Sequence, residues 1–492
     1  MIPQYMASKR GKKAILALGA GAVLALAMPG LGLGPLAFVG LIPLFFALEG
    51  GGGFVPGFLA GFVFFAIDLR WILTLFRFTP LVVAGYVLLA AYLALYFGLF
   101  GLLTGWFLKK ERPGVALLVF APSLFALLEL ARSLGPLGVG FSDLYLALHR
   151  FPVLIQAAAV LGPFALTAGI AFANAAFYLA WRRRRAYALA GLGMVGALAA
   201  CSLLPVAPNG EAVAVAVVTS EVAQESRFGG ETLESLLARY LRLGEEAAAL
   251  RPDLIVFPET ILPDYILRDP KLLAEFARLA RQANARVLVG TGDFRNGDLT
   301  NAVALLDRNG DVVGSYDKVH PVPFGEYVPG RALWAALGLE DLFSSLLPVD
   351  ITPGRGFTPL GDLGTPICFE TTFPAASRAL AARGAALLVT VTNDAWFVGS
   401  SELTEHFAAA VFRAVETRRF VIQSANGGIS GAVDARGRIL SETEEEGVTV
   451  VQAARRHEPS PYTRWGEPLS LAVLVGGVGA GLVWRTERRQ TG

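Results

Sequence analysis

Three reactive side chains stand where the chain is about to turn: Glu259, Lys318 and Cys368. Glu259 closes the apolar run DLIVF in the stretch FPET, and a carboxylate at a strand's end faces the rim of a sheet, where clefts form. The plainer reading is a solvated turn residue, the usual fate of a glutamate. Lys318 lies in SYDKVHPVPFGEYVP, where three prolines and a glycine stiffen the backbone and fix side-chain directions. Rigid loops suit active sites, although a lone lysine there is also an ordinary surface residue. Cys368, in GTPICFE, falls between a strand and an expected helix start at Thr371 to Pro374. Backbone N–H groups and a helix N-terminus would favour its thiolate. The competing role is a small buried hydrophobe, which the adjacent Glu370 makes less comfortable. Such types can do nucleophilic chemistry together: a carboxylate takes a thiol proton, a fixed cation holds developing negative charge, and a thiolate attacks carbonyls. His320 does not suggest a metal, because the chain has 4 His and no HExxH or Cys/His cluster. No metal and no cofactor are expected.

These residues need a scaffold, and the composition describes an unusual one. Of 492 residues 54% are hydrophobic and 17% charged, and the mean hydropathy is +0.54, values that point to a membrane protein. A net charge of +2 gives no basic field for nucleic acid. The apolar character is concentrated in residues 1–205, the expected membrane domain, and again at 468–484, the expected C-terminal span. A crossing needs about 20 apolar residues. Candidates lie near 14–29, 34–49, 54–69, 80–108, 114–131, 152–181, 186–205 and 468–484, about eight spans, seven before the insert and one after it. Basic clusters at Lys9 to Lys13, Lys109 to Arg112, Arg182 to Arg185 and Arg485 to Arg489 then fall on one side, which the positive-inside rule makes cytoplasmic. Both termini are expected there, and the insert on the outer face.

Residues 211–460 read as a soluble domain in which strand-like runs (AVAVAVVTS, DLIVF, RVLVG, NAVALLD, ALLVTVT, RFVIQS) alternate with helical ones. Several strands follow one another with no helix between, so a doubly wound sheet fits poorly. The expected fold is a two-sheet αββα sandwich flanked by helices.

In their order and spacing FPET, YDKVHPVPFGEYVP and PICFE resemble the nitrilase superfamily, whose Glu-Lys-Cys triad performs acyl transfer. That resemblance implies Glu259 as general base, Lys318 and the backbone N–H of Phe369 as stabilisers of the oxyanion, and Cys368 as nucleophile. TNDAWF at 392–397, HFAAAVFRAVETRR at 406–419, SANGGISGAVDARG at 424–437 and the frame of spans, insert and span narrow it. They resemble the membrane-bound apolipoprotein N-acyltransferases. Implied by that family are a phospholipid acyl donor, a Cys368 thioester, an acceptor amine on the diacylglyceryl-cysteine of an apolipoprotein, and a place in the bacterial inner membrane with the catalytic domain periplasmic. Glu326 and Glu370 match further family carboxylates. Phe369 stands where a hydroxylated aromatic is often found, and Phe228 where Trp is expected in some relatives.

Two other functions fit parts of this pattern. A membrane-tethered amidase would let water replace the amine, but a tether needs one span rather than eight. A transporter would have no use for all three triad residues. Cys201 in LAAC looks like a lipobox but lies two hundred residues into the chain, and reads as a core cysteine. Asp68 and Arg70 suggest an internal ion pair or an interfacial anchor. The stretch 331–356 is expected to form either a mobile cover hinged at Gly354 and Gly356 or a short helix packed on the insert.

Overall fold

The computed structural model describes residues 2–109, 114–208, 210–225, 230–295, 297–338 and 347–490. Phe228 lies outside them. The insert is the predicted sandwich. One sheet has six strands in the order β11-β1-β2-β3-β4-β5, built from β1 (Ala212–Thr219), β2 (Leu254–Val256), β3 (Arg286–Arg295), β4 (Asp298–Leu306), β5 (Val312–Asp317) and β11 (Gly447–Ala454). The other has five in the order β10-β9-β8-β7-β6, from β6 (Leu363–Gly364), β7 (Leu387–Asn393), β8 (Val421–Asn426), β9 (Ser430–Val433) and β10 (Ile439–Thr443). Strands β1 to β3 run parallel, as do β6 to β8, and hairpins add antiparallel strands outside them.

Side-chain alternation along β1 builds the layers. Val213, Val215 and Val217 face the second sheet, while Ala216 and Val218 pack on the helices Leu233–Ala249 and Pro270–Ala283. Both helices open on side-chain caps: Thr232 accepts from the Ser235 amide at 3.2 Å, and Asp269 from the Lys271 amide at 2.7 Å. The sheets are also joined by polar bonds, the Ser424 hydroxyl donating to the Val218 carbonyl at 2.6 Å.

Among the described residues five helices are long and apolar enough to cross a membrane: Phe54–Arg77, Leu81–Lys109, Val115–Arg132, Pro163–Arg182 and Pro461–Arg485. They coincide with five of the eight predicted spans. The other three fall on different structures. Residues 34–48 break into the short helices Gly34–Phe38 and Ile42–Leu48. Tyr187–Ala200 has 14 residues, about 21 Å of helix against a hydrocarbon core of about 30 Å. Ile2–Ala27 carries Arg10, Lys12 and Lys13 inside the helix. The number eight is therefore not borne out by helix length and composition.

The helical region and the insert share one continuous apolar core. At their junction lies the helix Glu402–Thr417, buried along its whole length between the second sheet and the membrane helices.

Candidate active site

Four of the predicted residues converge at one edge of the sandwich, where the ends of β2, β5 and β7 meet. Glu259 follows β2 by three residues and is 5% exposed, so it is not the solvated turn residue that a lone glutamate suggests. Its approach depends on Gly290 of β3: a Cβ there would lie 2.3 Å from the Pro258 carbonyl oxygen and 2.6 Å from the Glu259 Cα. Oε1 of Glu259 accepts from the Asn301 amide at 2.6 Å and from Lys318 Nζ at 3.3 Å, while Oε2 accepts from the Asn393 backbone N–H at 2.7 Å.

Lys318 leaves the end of β5 and is 1% exposed. Its ammonium donates to Glu259 and, at 2.9 Å, to Oε1 of Glu326. Burial works against this charge, but Glu259, Glu326 and the Cys368 sulfur together raise Lys318 well above the ordinary lysine range, so it stays an ammonium. Glu326 bridges two groups: Oε2 accepts from the Val322 amide at 2.7 Å, closing the tight turn, while Oε1 holds Lys318.

Cys368 opens a 3₁₀ turn, Cys368–Thr372, before the helix Pro374–Ala382. Its φ of +49° lies in the left-handed region, a conformation that costs a non-glycine residue about 1–3 kcal/mol and persists only where the surroundings impose it. The thiol interacts with Glu259 and Lys318. Here the sequence expectation of a favoured thiolate fails. Loss of solvation first, and then the Glu259 carboxylate, push the thiol well above its ordinary value, and Lys318 offsets only part of this.

Glu370 and Phe369 sit differently. Glu370 is fully buried and holds loops together: its carboxyl accepts from the Val319 amide at 2.6 Å, the His320 amide at 3.1 Å, the Ile367 amide at 2.8 Å and the Tyr316 hydroxyl at 2.9 Å. Burial raises its pKa to about 7 against the lowering effect of those bonds. The Phe369 ring stacks on Phe141 of the membrane region, centroids 6.0 Å apart, and meets Phe373 edge-on at 4.9 Å. Phe141 also packs on Trp71, and Trp71 on Phe397, so the helical region supplies one aromatic wall beside the Cys368 turn.

Sequence reading overlooked several neighbours. Asn301 of β4 donates through one amide nitrogen to both Glu259 and Glu326. His406 and Arg413, from the Glu402–Thr417 helix, hold carbonyls of the turn: His406 that of Cys368 at 3.0 Å, and Arg413 those of Thr371 and Thr372 at 3.2 and 3.1 Å. Both lie in the quoted run HFAAAVFRAVETRR, whose polar residues at helical spacing were the available signal. Asp68 does not turn to Arg70: Arg70 bonds the Ile67 carbonyl, and Asp68 faces Glu405 of the insert. The expected hinge at Gly354 is pinned, its N–H donating to the Lys318 carbonyl at 2.7 Å, whereas the helix Arg331–Ala336 buries none of its residues. The stretch 339–346 of the expected cover lies outside the described residues.

Fold and site define a carbon–nitrogen hydrolase type of domain carried on apolar helices, and residues 215–458 match the family model described as carbon-nitrogen hydrolase. Residues 20–176 match the apolipoprotein N-acyltransferase N-terminal domain. An apolipoprotein N-acyltransferase from Geobacter metallireducens is 32% identical, with 94% of this chain and 93% of the relative covered. Relatives of the same name come from Allorhizobium ampelinum, 32% identical with 87% of each covered, and Gloeobacter violaceus, 30% identical with 95% of this chain and 94% of the relative covered. The chain belongs to the apolipoprotein N-acyltransferase family of acyltransferases.

Proposed function

We propose that this chain moves a fatty acyl group from a membrane phospholipid, through a thioester on Cys368, to the N-terminal amine of the diacylglyceryl-cysteine of an apolipoprotein. The observation that carries this reading is the constellation of buried Glu259 and Lys318 with half-buried Cys368, set against the membrane region in a chain of that family.

Because the thiol is pushed up, it rests protonated and needs a base at the moment of attack. Glu259 takes its proton as sulfur bonds the ester carbonyl carbon of the phospholipid. Lys318 and the Phe369 N–H hold the oxyanion. Collapse breaks the acyl C–O bond, Glu259 returns the proton to the departing lysophospholipid alkoxide, and the thioester remains. The acceptor amine then attacks that thioester. Glu259 removes a proton from the nitrogen, the C–S bond breaks, and the proton passes to sulfur as the amide leaves. Glu326 positions Lys318, and Glu370 and Phe369 shape the turn around Cys368.

An inner-membrane location with a periplasmic catalytic domain is supported by charge placement. Lys13 donates to the Glu49 and Gly51 carbonyls, Arg182 pairs with Glu49 at 2.6 Å, the Lys109 chain lies against Gly51, and Arg485 covers Trp106. These basic groups gather at one end of the bundle. The Phe54–Arg77 span runs from that end to the catalytic domain, where Arg77 bonds the Ala395 and Trp396 carbonyls. The positive-inside rule makes the basic end cytoplasmic.

Mass spectrometry of protein purified with phospholipid tests the reading. A hydroxylamine-sensitive fatty-acyl adduct on Cys368, discharged by a diacylglyceryl-cysteine peptide amine, is the expected result. Discharge by water at the same rate as by amine would favour the amidase instead, and an adduct elsewhere would remove Cys368 from the chemistry.

A further inference from the structure

One buried histidine holds the nucleophile turn from behind. His406 is 1% exposed, with Nε2 placed 3.0 Å from the carbonyl oxygen of Cys368 and Nδ1 placed 3.1 Å from Oδ1 of Asp394. A carbonyl has no proton to give, and that Asp394 oxygen already accepts from the Thr392 hydroxyl at 2.5 Å. Both ring nitrogens therefore face acceptors. A neutral imidazole has a single N–H and would turn a lone pair against one of the two oxygens, so the geometry calls for the doubly protonated ring. A second carboxyl group lies near: Oε1 of Glu402 is 3.8 Å from Nδ1, and the Phe141 ring packs at a steep angle to the imidazole.

The carbonyl so held belongs to the residue with φ of +49°. Such a backbone stays in place only when its surroundings over-determine it, and the peptide of Cys368 and Phe369 also carries the N–H expected to meet the oxyanion. A hydrogen bond to the Cys368 carbonyl orients that whole peptide plane.

We propose that His406 is a positioning residue for acyl transfer: as an imidazolium braced by Asp394, it fixes the Cys368 carbonyl and with it the direction of the thiol and of the Phe369 N–H. This inference rests on the reading of Cys368 as the nucleophile. The alternative use of Asp394, Glu402 and His406, whose ligand atoms lie within 4.8 Å of one another, is a metal ion. Against that use, both nitrogens of His406 are already engaged, Nε2 on the Cys368 carbonyl and Nδ1 on Asp394, which leaves no ring lone pair for a metal. In keeping with the imidazolium, burial lowers the affinity of His406 for its second proton, but Asp394 and Glu402 overcome this and raise its pKa to about 9.

The test uses the full-length protein in phospholipid nanodiscs, comparing parent, His406→Gln, His406→Phe and Cys368→Ala. Single-turnover acylation is followed at varied donor concentration, and ¹⁵N-histidine NMR is recorded at pH 8. His406→Phe should lower the saturating acylation rate about 30-fold at unchanged half-saturating donor, as misaimed reacting groups do. His406→Gln, whose side-chain amide can still donate to the carbonyl, should recover most of that loss. Among the 4 histidines, one doubly protonated ring should persist at pH 8 in the parent and in Cys368→Ala, and disappear in His406→Gln. A parental rate in His406→Phe, a loss confined to half-saturation, or a neutral or metal-bound His406 ring in the parent spectrum would each overturn the proposal. If His406→Phe does not fold, the Gln variant and the parent spectrum decide. An acyl adduct still forming in Cys368→Ala would instead sink the nucleophile assignment, whatever the histidine does.

Discussion

At the residue scale, Glu259 acts on the thiol in two opposed ways. As an anion beside Cys368 it raises the thiol, and in the proposed reaction it is the base that deprotonates it. The two effects predict opposite outcomes for one substitution. Glu259→Gln removes a neighbouring negative charge, so iodoacetamide should alkylate Cys368 faster at pH 8 while acylation from phospholipid falls a hundredfold or more, on the order of the loss of a general base. Lys318→Met should slow both, because the ammonium lowers the thiol and also holds the oxyanion, the latter worth on the order of a hundredfold. Parallel changes in the two rates for Glu259→Gln would show that it is not the base. Asn301 carries the next prediction. One amide nitrogen bridges Glu259 and Glu326, so Asn301→Ala should slow single-turnover acylation about tenfold to a hundredfold by misplacement, and Asn301→Asp, a third carboxylate beside the other two, should do worse. Equal rates in parent and Asn301→Asp would remove it from the site. The meeting of Glu259, Lys318 and Cys368 was legible because each stands in a motif of distinctive spacing. Asn301 was not, since an asparagine inside NAVALLD looks like any strand residue until β3, β4 and β5 are assembled.

At the scale of elements, the Glu402–Thr417 helix explains how the Cys368 turn is held. Its buried row of Glu402, Glu405, His406, Arg413 and Glu416 faces the turn carbonyls on one side and the membrane region on another. Glu405 meets Asp68 at the end of a membrane helix, and burial followed by the Asp68 charge raises Glu405 well above the usual carboxylate range, so this acid holds its proton. A protonated carboxyl places no second charge beside Asp68, and a neutral amide of the same shape does the same. Glu405→Gln should therefore melt within a few degrees of the parent, whereas Glu405→Ala should lose on the order of 1–3 kcal/mol, the cost of leaving a buried polar partner unmet. Equal melting of all three proteins would show the pair to be idle. The run HFAAAVFRAVETRR marked this segment and hid its role, because charged residues on a helix ordinarily mark a solvated face. Strands β9, β10 and β11 were also missed. They are short or half exposed, and β11 finds its partner β1 more than two hundred residues earlier in the chain.

At the scale of the whole molecule, apolar windows measure composition and not continuity. That is why 34–48 passed for a span although the chain turns between two short helices, and why the 14-residue helix Tyr187–Ala200 did too. The division into membrane region and insert was legible, but their mutual dependence was not. In this chain the sandwich lacks a free outer face on its second sheet: the helix covering it is buried by the membrane helices, and Phe369 stacks on Phe141 from the other side of the junction. Residues 211–460 expressed alone would expose that helix, with its apolar face and unpaired acids, to water. Hydration would ionise Glu405, which burial raises in the intact protein, and like charges on Glu402 and Glu405, about one helical turn apart, repel. The isolated insert is therefore expected to keep the first sheet with its two outer helices, which have their own core, and to lose order around Glu402–Thr417 and the Cys368 turn. Hydrogen exchange gives the readout: strong protection in β1 to β4, and exchange at 402–417 and 368–372 at least about a hundredfold faster than in the full chain, with no acylation of Cys368. Uniform protection together with a reactive, acylable thiol would mean that the catalytic domain needs the membrane helices only as an anchor.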